Sequence, residues 1–93
     1  MRTTEPTSRF KRDYKRELKG RHRAMLANEL VAILQVLAAD EPLAEKHRDH
    51  PLSGNWANHR DCHIRPDLVL IYQKPDNDTL RLVRLGSHSE LGL

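Results

Sequence analysis

From residue 7 to 39 the apolar positions fall three and four apart; from 58 to 85 they crowd into short runs punctuated by proline, glycine and aspartate. The first half therefore predicts helices and the second half strands. Residues 1–6 are short and polar, and fit an edge strand, where Pro6 is tolerated. Thr7 can N-cap a helix that runs to about Lys19 and stops at Gly20. Phe10, Tyr14 and Leu18 line one face of it, and Arg9, Arg12, Arg16 and Lys19 line another. A second helix is predicted over 22–39, with Leu26, Leu30, Ile33, Leu34 and Leu37 on its buried stripe and Asp40-Glu41-Pro42 closing it.

Residues 43–57, holding Pro51, Gly54 and the only tryptophan, read as an irregular loop. Three strands follow, over 58–65, 68–74 and 79–85. Pro66-Asp67 and Pro75-Asp76-Asn77-Asp78 separate them, both short enough for antiparallel hairpins. The middle strand, LVLIYQ, is apolar on both faces and should be the most buried. Gly86-Ser87 ends the last, leaving a C-terminal turn over 88–93. The expected fold class is α+β: β-α-α-β-β-β, a helical hairpin packed on one face of an antiparallel sheet. With 93 residues it forms one domain, 1–93.

Composition narrows the function classes. Charged residues make up 31% and hydrophobic ones 38%, a balance of compact proteins rather than disordered tails. No apolar run approaches the roughly 18 residues of a membrane span, and Arg2, Glu5, Arg9 and Lys11 stand where a secretory signal would be apolar. Cys62, the single cysteine, excludes an internal disulfide and a multi-thiolate zinc cage. These features point to the cytosol. The net charge of +3 is uneven: residues 1–23 carry +6, residues 24–45 carry −4 and residues 46–93 carry +1. The basic end can meet phosphate backbones or simply be a solvated helix face, and charge alone does not separate the two.

Histidines supply the candidate chemistry. On a strand over 58–65, period two places His59, Asp61, His63 and Arg65 on one face, opposite Asn58, Arg60, Cys62 and Ile64. Two imidazoles, a carboxylate and a guanidinium make a poor core. They meet solvent, or they meet a ligand on which they perform acid–base chemistry. A shared metal ion is disfavoured, because His59 and His63 would stand roughly 13 Å apart on an unbent strand. Pro51 argues against a helix that would let His47 and His50 chelate.

Taken in order, His50-Pro51-Leu52-Ser53-Gly54-Asn55-Trp56, Arg60-Asp61-Cys62-His63-Ile64-Arg65-Pro66-Asp67, Leu70-Ile71-Tyr72, and Arg84 with Gly86-Ser87-His88 form a specific series. It resembles the YafQ branch of the RelE/ParE toxin superfamily, and Phe10-Lys11-Arg12-Asp13 resembles that superfamily's first-helix start. The resemblance spans essentially the whole chain and implies the same βααβββ fold. It implies a bacterial toxin of a type II toxin–antitoxin pair that cleaves mRNA in the ribosomal A site, without a cofactor. Position by position, it implies that His50, His63, Asp67 and His88 form the catalytic set, with Asp61 in the same motif. His59 matches no catalytic histidine. Where relatives carry an aromatic that stacks on a base, this chain has Leu91, and Leu68 stands where an aromatic can occur.

Metal-free RNA cleavage needs a base for the 2′-OH, an acid for the leaving 5′-oxygen and positive charge on the phosphate. The histidines would supply the first two, and Arg84, Arg60 or Arg65 the third. Expected partners are a cognate antitoxin encoded next door, the ribosome and mRNA; the free toxin is expected to be monomeric. Two other classes stay open at this stage: a non-catalytic ParE-like toxin acting on DNA gyrase, and a basic nucleic-acid-binding protein.

Overall fold

The computed structural model describes residues 1–93. In chain order it comprises β1 (Thr3–Pro6), α1 (Ser8–Glu17), a second helix, β2 (His50–Pro51), β3 (Arg60–Arg65), β4 (Leu68–Gln73), β5 (Thr79–Gly86) and a one-turn C-terminal helix. The second helix begins as α2 (Arg23–Met25), widens into a π-helical turn over Leu26–Leu30 and ends as α3 (Val31–Ala38); the C-terminal turn is α4 (His88–Leu91). The five strands form one sheet in the order β1-β5-β4-β3-β2. No helix is long and apolar enough to cross a membrane.

The expected N-cap forms: Thr7 Oγ1 accepts from the Phe10 N–H at 3.2 Å and donates to the Val83 carbonyl at 3.0 Å. That pair fixes where α1 leaves the sheet. The core lies between the helices and one sheet face, where Phe10, Leu26, Leu30, Ile33 and Leu37 meet Cys62, Leu70, Tyr72, Leu80, Leu82 and Leu85. As expected of its two-sided pattern, β4 is the middle strand. Leu68, Leu70 and Tyr72 face the helices, while Val69 and Ile71 face a smaller cluster closed by Leu91 of α4.

The sheet is not the wholly antiparallel one that its hairpins suggested. The sheet is mixed, because β1 runs parallel to β5, with Thr3 opposite Thr79 and Pro6 opposite Leu82. The two strands are joined by no hairpin, and the long path through both helices leaves β1 free to run parallel. Because β1 ends at Pro6, the second half of β5 has an uncovered edge, which α1 satisfies with side chains. Asp13 accepts from the Leu85 N–H at 3.0 Å and from Arg84 Nε at 2.6 Å, and Arg16 donates to the Leu85 carbonyl at 2.8 Å. Burial pushes the Asp13 carboxyl upward, but the Arg84 and Leu85 hydrogen bonds and the charges of Arg84 and Arg16 outweigh it and hold its pKa below the usual value.

Candidate active site

The segment 43–57, read as irregular, is more ordered than its composition suggests. A 3₁₀ turn over Glu45–His47 leads to Arg48, whose left-handed backbone (φ 47°) swings the chain onto the sheet edge. There His50 pairs with Asp61 and Pro51 with Arg60. A second 3₁₀ turn, Gly54–Trp56, then returns the chain to β3. Two anchors hold this path. Asp49 Oδ1 accepts from the buried Tyr72 hydroxyl at 2.5 Å and from Arg60 Nε at 3.2 Å, and His47 Nδ1 bonds the His63 carbonyl at 2.8 Å. Burial is the main reason the Tyr72 hydroxyl is harder to ionise than usual.

Three of the expected histidines converge. His63 on β3 and His88 at the start of α4 face each other with ring centroids 4.9 Å apart. His50 Nδ1 lies 3.0 Å from Asp61 Oδ1 and 2.6 Å from the Arg48 carbonyl. Two acceptors at one ring nitrogen place the proton on Nδ1 and leave Nε2 free on a half-exposed ring. The ring N–H aligns with the Arg48 carbonyl, so Asp61 Oδ1 gains the proximity of His50 without a well-aligned hydrogen bond, and it has no other partner.

Asp61 is only 2% exposed. Burial raises its pKa, and the attraction of His50, His63 and His88 offsets this only in part. Burial also lowers the pKa of His63, and the neighbouring His88 lowers it further, so His63 is mostly neutral at pH 7. His50, Asp61 and His88 line a cleft of about 380 Å³ together with Leu52, Ser53, Asn55, Trp56, Gly92 and Leu93. No three His, Cys, Asp or Glu side chains converge closely enough to share a metal ion.

Other expected residues sit elsewhere. Asp67 occupies the β3–β4 turn, where it pairs with Arg21 and, at 3.3 Å, with His22. It makes no contact with the histidine cluster. Leu91 is 4% exposed and packed on Val69 and Ile71, so it anchors α4 and offers no surface to a base. Leu68 is likewise buried in the core. The three candidate phosphate arginines are each engaged by a carboxylate: Arg84 by Asp13, Arg60 by Asp49 and Arg65 by Glu29. A β-bulge between His63 and Arg65 breaks the alternation of β3, and Arg65 pairs with Glu29 of the second helix. His59 precedes the strand and packs edge-on against Trp56.

Arg48, which the motif did not single out, lies close enough for its charge to lower the pKa of His63, and no carboxylate pairs with it. Its position two residues before His50 was the available sign.

Imidazoles and a carboxylate gathered in this way are suited to proton transfer. Residues 2–92 match the family described as the bacterial toxin of type II toxin–antitoxin systems, YafQ. The chain belongs to the YafQ toxin family.

The "mRNA interferase toxin YafQ" of Escherichia coli strain K12 is 37% identical over 92 residues, covering 98% of this chain and 96% of that protein. Among solved structures, a metal-bound toxin from Helicobacter pylori is 44% identical with a TM-score of 0.83, covering 98% of this chain and 99% of that one. YafQ in the Escherichia coli DinJ–YafQ complex is 36% identical with a TM-score of 0.81, covering 98% of both chains. Both superpose on nearly the whole of this chain and so share its fold.

Proposed function

We propose that this YafQ-family toxin is an endoribonuclease that cuts mRNA in the ribosomal A site and so halts translation. The observation that carries the reading is the convergence of His50, Asp61 and His88 from three separate elements on one cleft, with the His63 ring packed against His88. The Escherichia coli relative named an mRNA interferase supports it.

His50, held through Nδ1 by the Arg48 carbonyl and lying beside Asp61, presents Nε2 as the base that takes the proton of the 2′-OH. The freed 2′-oxygen attacks the adjacent phosphorus, forming a 2′,3′-cyclic phosphate as the P–O5′ bond breaks. His88, its ring packed against His63, is the acid that delivers a proton to the leaving 5′-oxygen, which departs as a 5′-OH. Arg48 supplies the positive charge at the phosphate, since Arg60, Arg65 and Arg84 are held by carboxylates. Asp67 acts at a distance, fastening the β3–β4 turn below His63 to the helical hairpin through Arg21 and His22.

The chemistry needs no metal ion and runs in the cytoplasm. The partners are the ribosome, mRNA and an antitoxin, the last in the way that YafQ of Escherichia coli is found in a complex with DinJ, and the free toxin is monomeric. Primer extension on ribosome-bound transcripts after induction tests this: new 5′ ends inside codons are expected. Growth arrest with intact transcripts would overturn it and favour a gyrase-type target.

A further inference from the structure

We propose that Trp56 is the platform on which the cleft stacks a nucleobase next to the scissile phosphate, an assignment that rests on the ribonuclease reading above. Histidines that move protons do not by themselves hold a nucleotide in register. Leu91 cannot serve, because it is buried, and Gly92 and Leu93, the tail residues that line the cleft, are not aromatic. Trp56 is the aromatic side chain of this cleft, which it shares with His50, Asp61 and His88.

The ring is pre-organised. It is half-buried, with support from the cluster of Val69, Ile71 and Leu91, and the His59 ring braces it edge-on at 5.4 Å. Its backbone is fixed as well. The Leu52 N–H donates to the His59 carbonyl at 2.9 Å, and the His59 N–H donates to the Trp56 carbonyl at 3.0 Å, closing the loop at both ends. Gly54 starts the 3₁₀ turn at φ +65°, in the left-handed region that favours glycine. Ser53 and Asn55 lie exposed on the lip, a hydroxyl and a carboxamide able to meet the polar edge of a base stacked on Trp56. The run from His50 to Trp56 is thus one device, with the proton-moving group at its start and the stacking surface at its end.

Single-turnover cleavage of a ribosome-bound mRNA, measured against toxin concentration with the ends sequenced, tests the assignment. Trp56→Ala should raise the half-saturating concentration about tenfold to a hundredfold, the usual range for a lost base–aromatic stack. Trp56→Phe should recover most of that loss, and Asn55→Ala should redistribute the bases flanking the cut. Wild-type saturation in Trp56→Ala, or a Phe variant no better than the Ala variant, would overturn the platform. A wild-type chain that cuts no RNA would instead overturn the ribonuclease reading. The platform would then stand or fall on fluorescence: Trp56 is the only tryptophan, so binding of a 2′-O-methyl oligoribonucleotide should quench the chain's tryptophan emission. Unquenched emission would reject it.

Discussion

Asp61→Asn should make the protein more stable and nearly inactive at once. Asp61 is 2% exposed, and one of its oxygens has only an oblique approach from His50. A buried group without its full hydrogen bonding costs about 1–3 kcal/mol, more when charged. Asparagine keeps the shape and drops the charge but adds an N–H group in need of a partner, so a net gain of about 1 kcal/mol is expected. In a domain of this size that raises Tm by roughly 4–8 °C. The sign follows from the raised pKa, which burial dominates. The folded state holds the Asp61 proton more tightly than the unfolded state, so ionisation disfavours folding. Wild type and variant should be equally stable below about pH 3.9, the unfolded carboxyl value. The wild type should then fall behind as pH rises through the folded pKa, after which the gap levels off. Activity should drop about 10²–10⁴-fold, the scale of losing correctly oriented acid–base catalysis. Urea denaturation at pH 3.5, 5 and 7, beside cleavage assays, measures both effects. A wild type more stable than Asp61→Asn at pH 7 would refute the reasoning, because attraction to His50 would then outweigh desolvation.

Asp13→Ala strands Arg84 and the buried Leu85 N–H and should cost about 3–5 kcal/mol. Because the Asp13 pKa is depressed, its contribution is present above about pH 3.9 and lost as pH falls through the folded value; urea titrations at pH 7 and pH 3 should show the gap closing in acid. Tyr72→Phe removes the hydroxyl that holds Asp49 beside His50, so chemical denaturation should show a loss of about 1–2 kcal/mol. Cleavage by the same variant should slow, though less than for Asp61→Asn. Toxin stripped with a chelator, with ribosomal magnesium maintained, should keep its cleavage rate; restoration only by added zinc would contradict the metal-free mechanism.

The pattern of apolar positions was sufficient for α1, the second helix and the three long strands, but not for β2 or the π-helical turn over Leu26–Leu30. The Thr7 cap, the two-sided β4 and the two hairpins follow from short-range chemistry and appear where expected. What it could not supply depends on distant partners. Asp13 looks like an acid on a basic helix until β5, 71 residues later, brings it Arg84. Period two correctly sets Asp61 and His63 on the face away from the helices, but it fails at the bulge that diverts Arg65. The motif located His50, His63 and His88, whose convergence depends on the path of the loop over 43–57 and on the α4 capping box of Ser87 and Glu90. It could not reveal that Asp67 joins the helical hairpin or that Leu91 turns inward, since both depend on which face of the turn or helix meets the sheet.

The most direct test of the account is single-turnover cleavage of mRNA on purified translating ribosomes by wild type, His63→Ala and His88→Ala, with folding followed by circular dichroism. Wild type should leave 2′,3′-cyclic phosphate and 5′-OH ends. Each folded variant should be slower by about 10²–10⁴. A folded His88→Ala that cuts at the wild-type rate would contradict it.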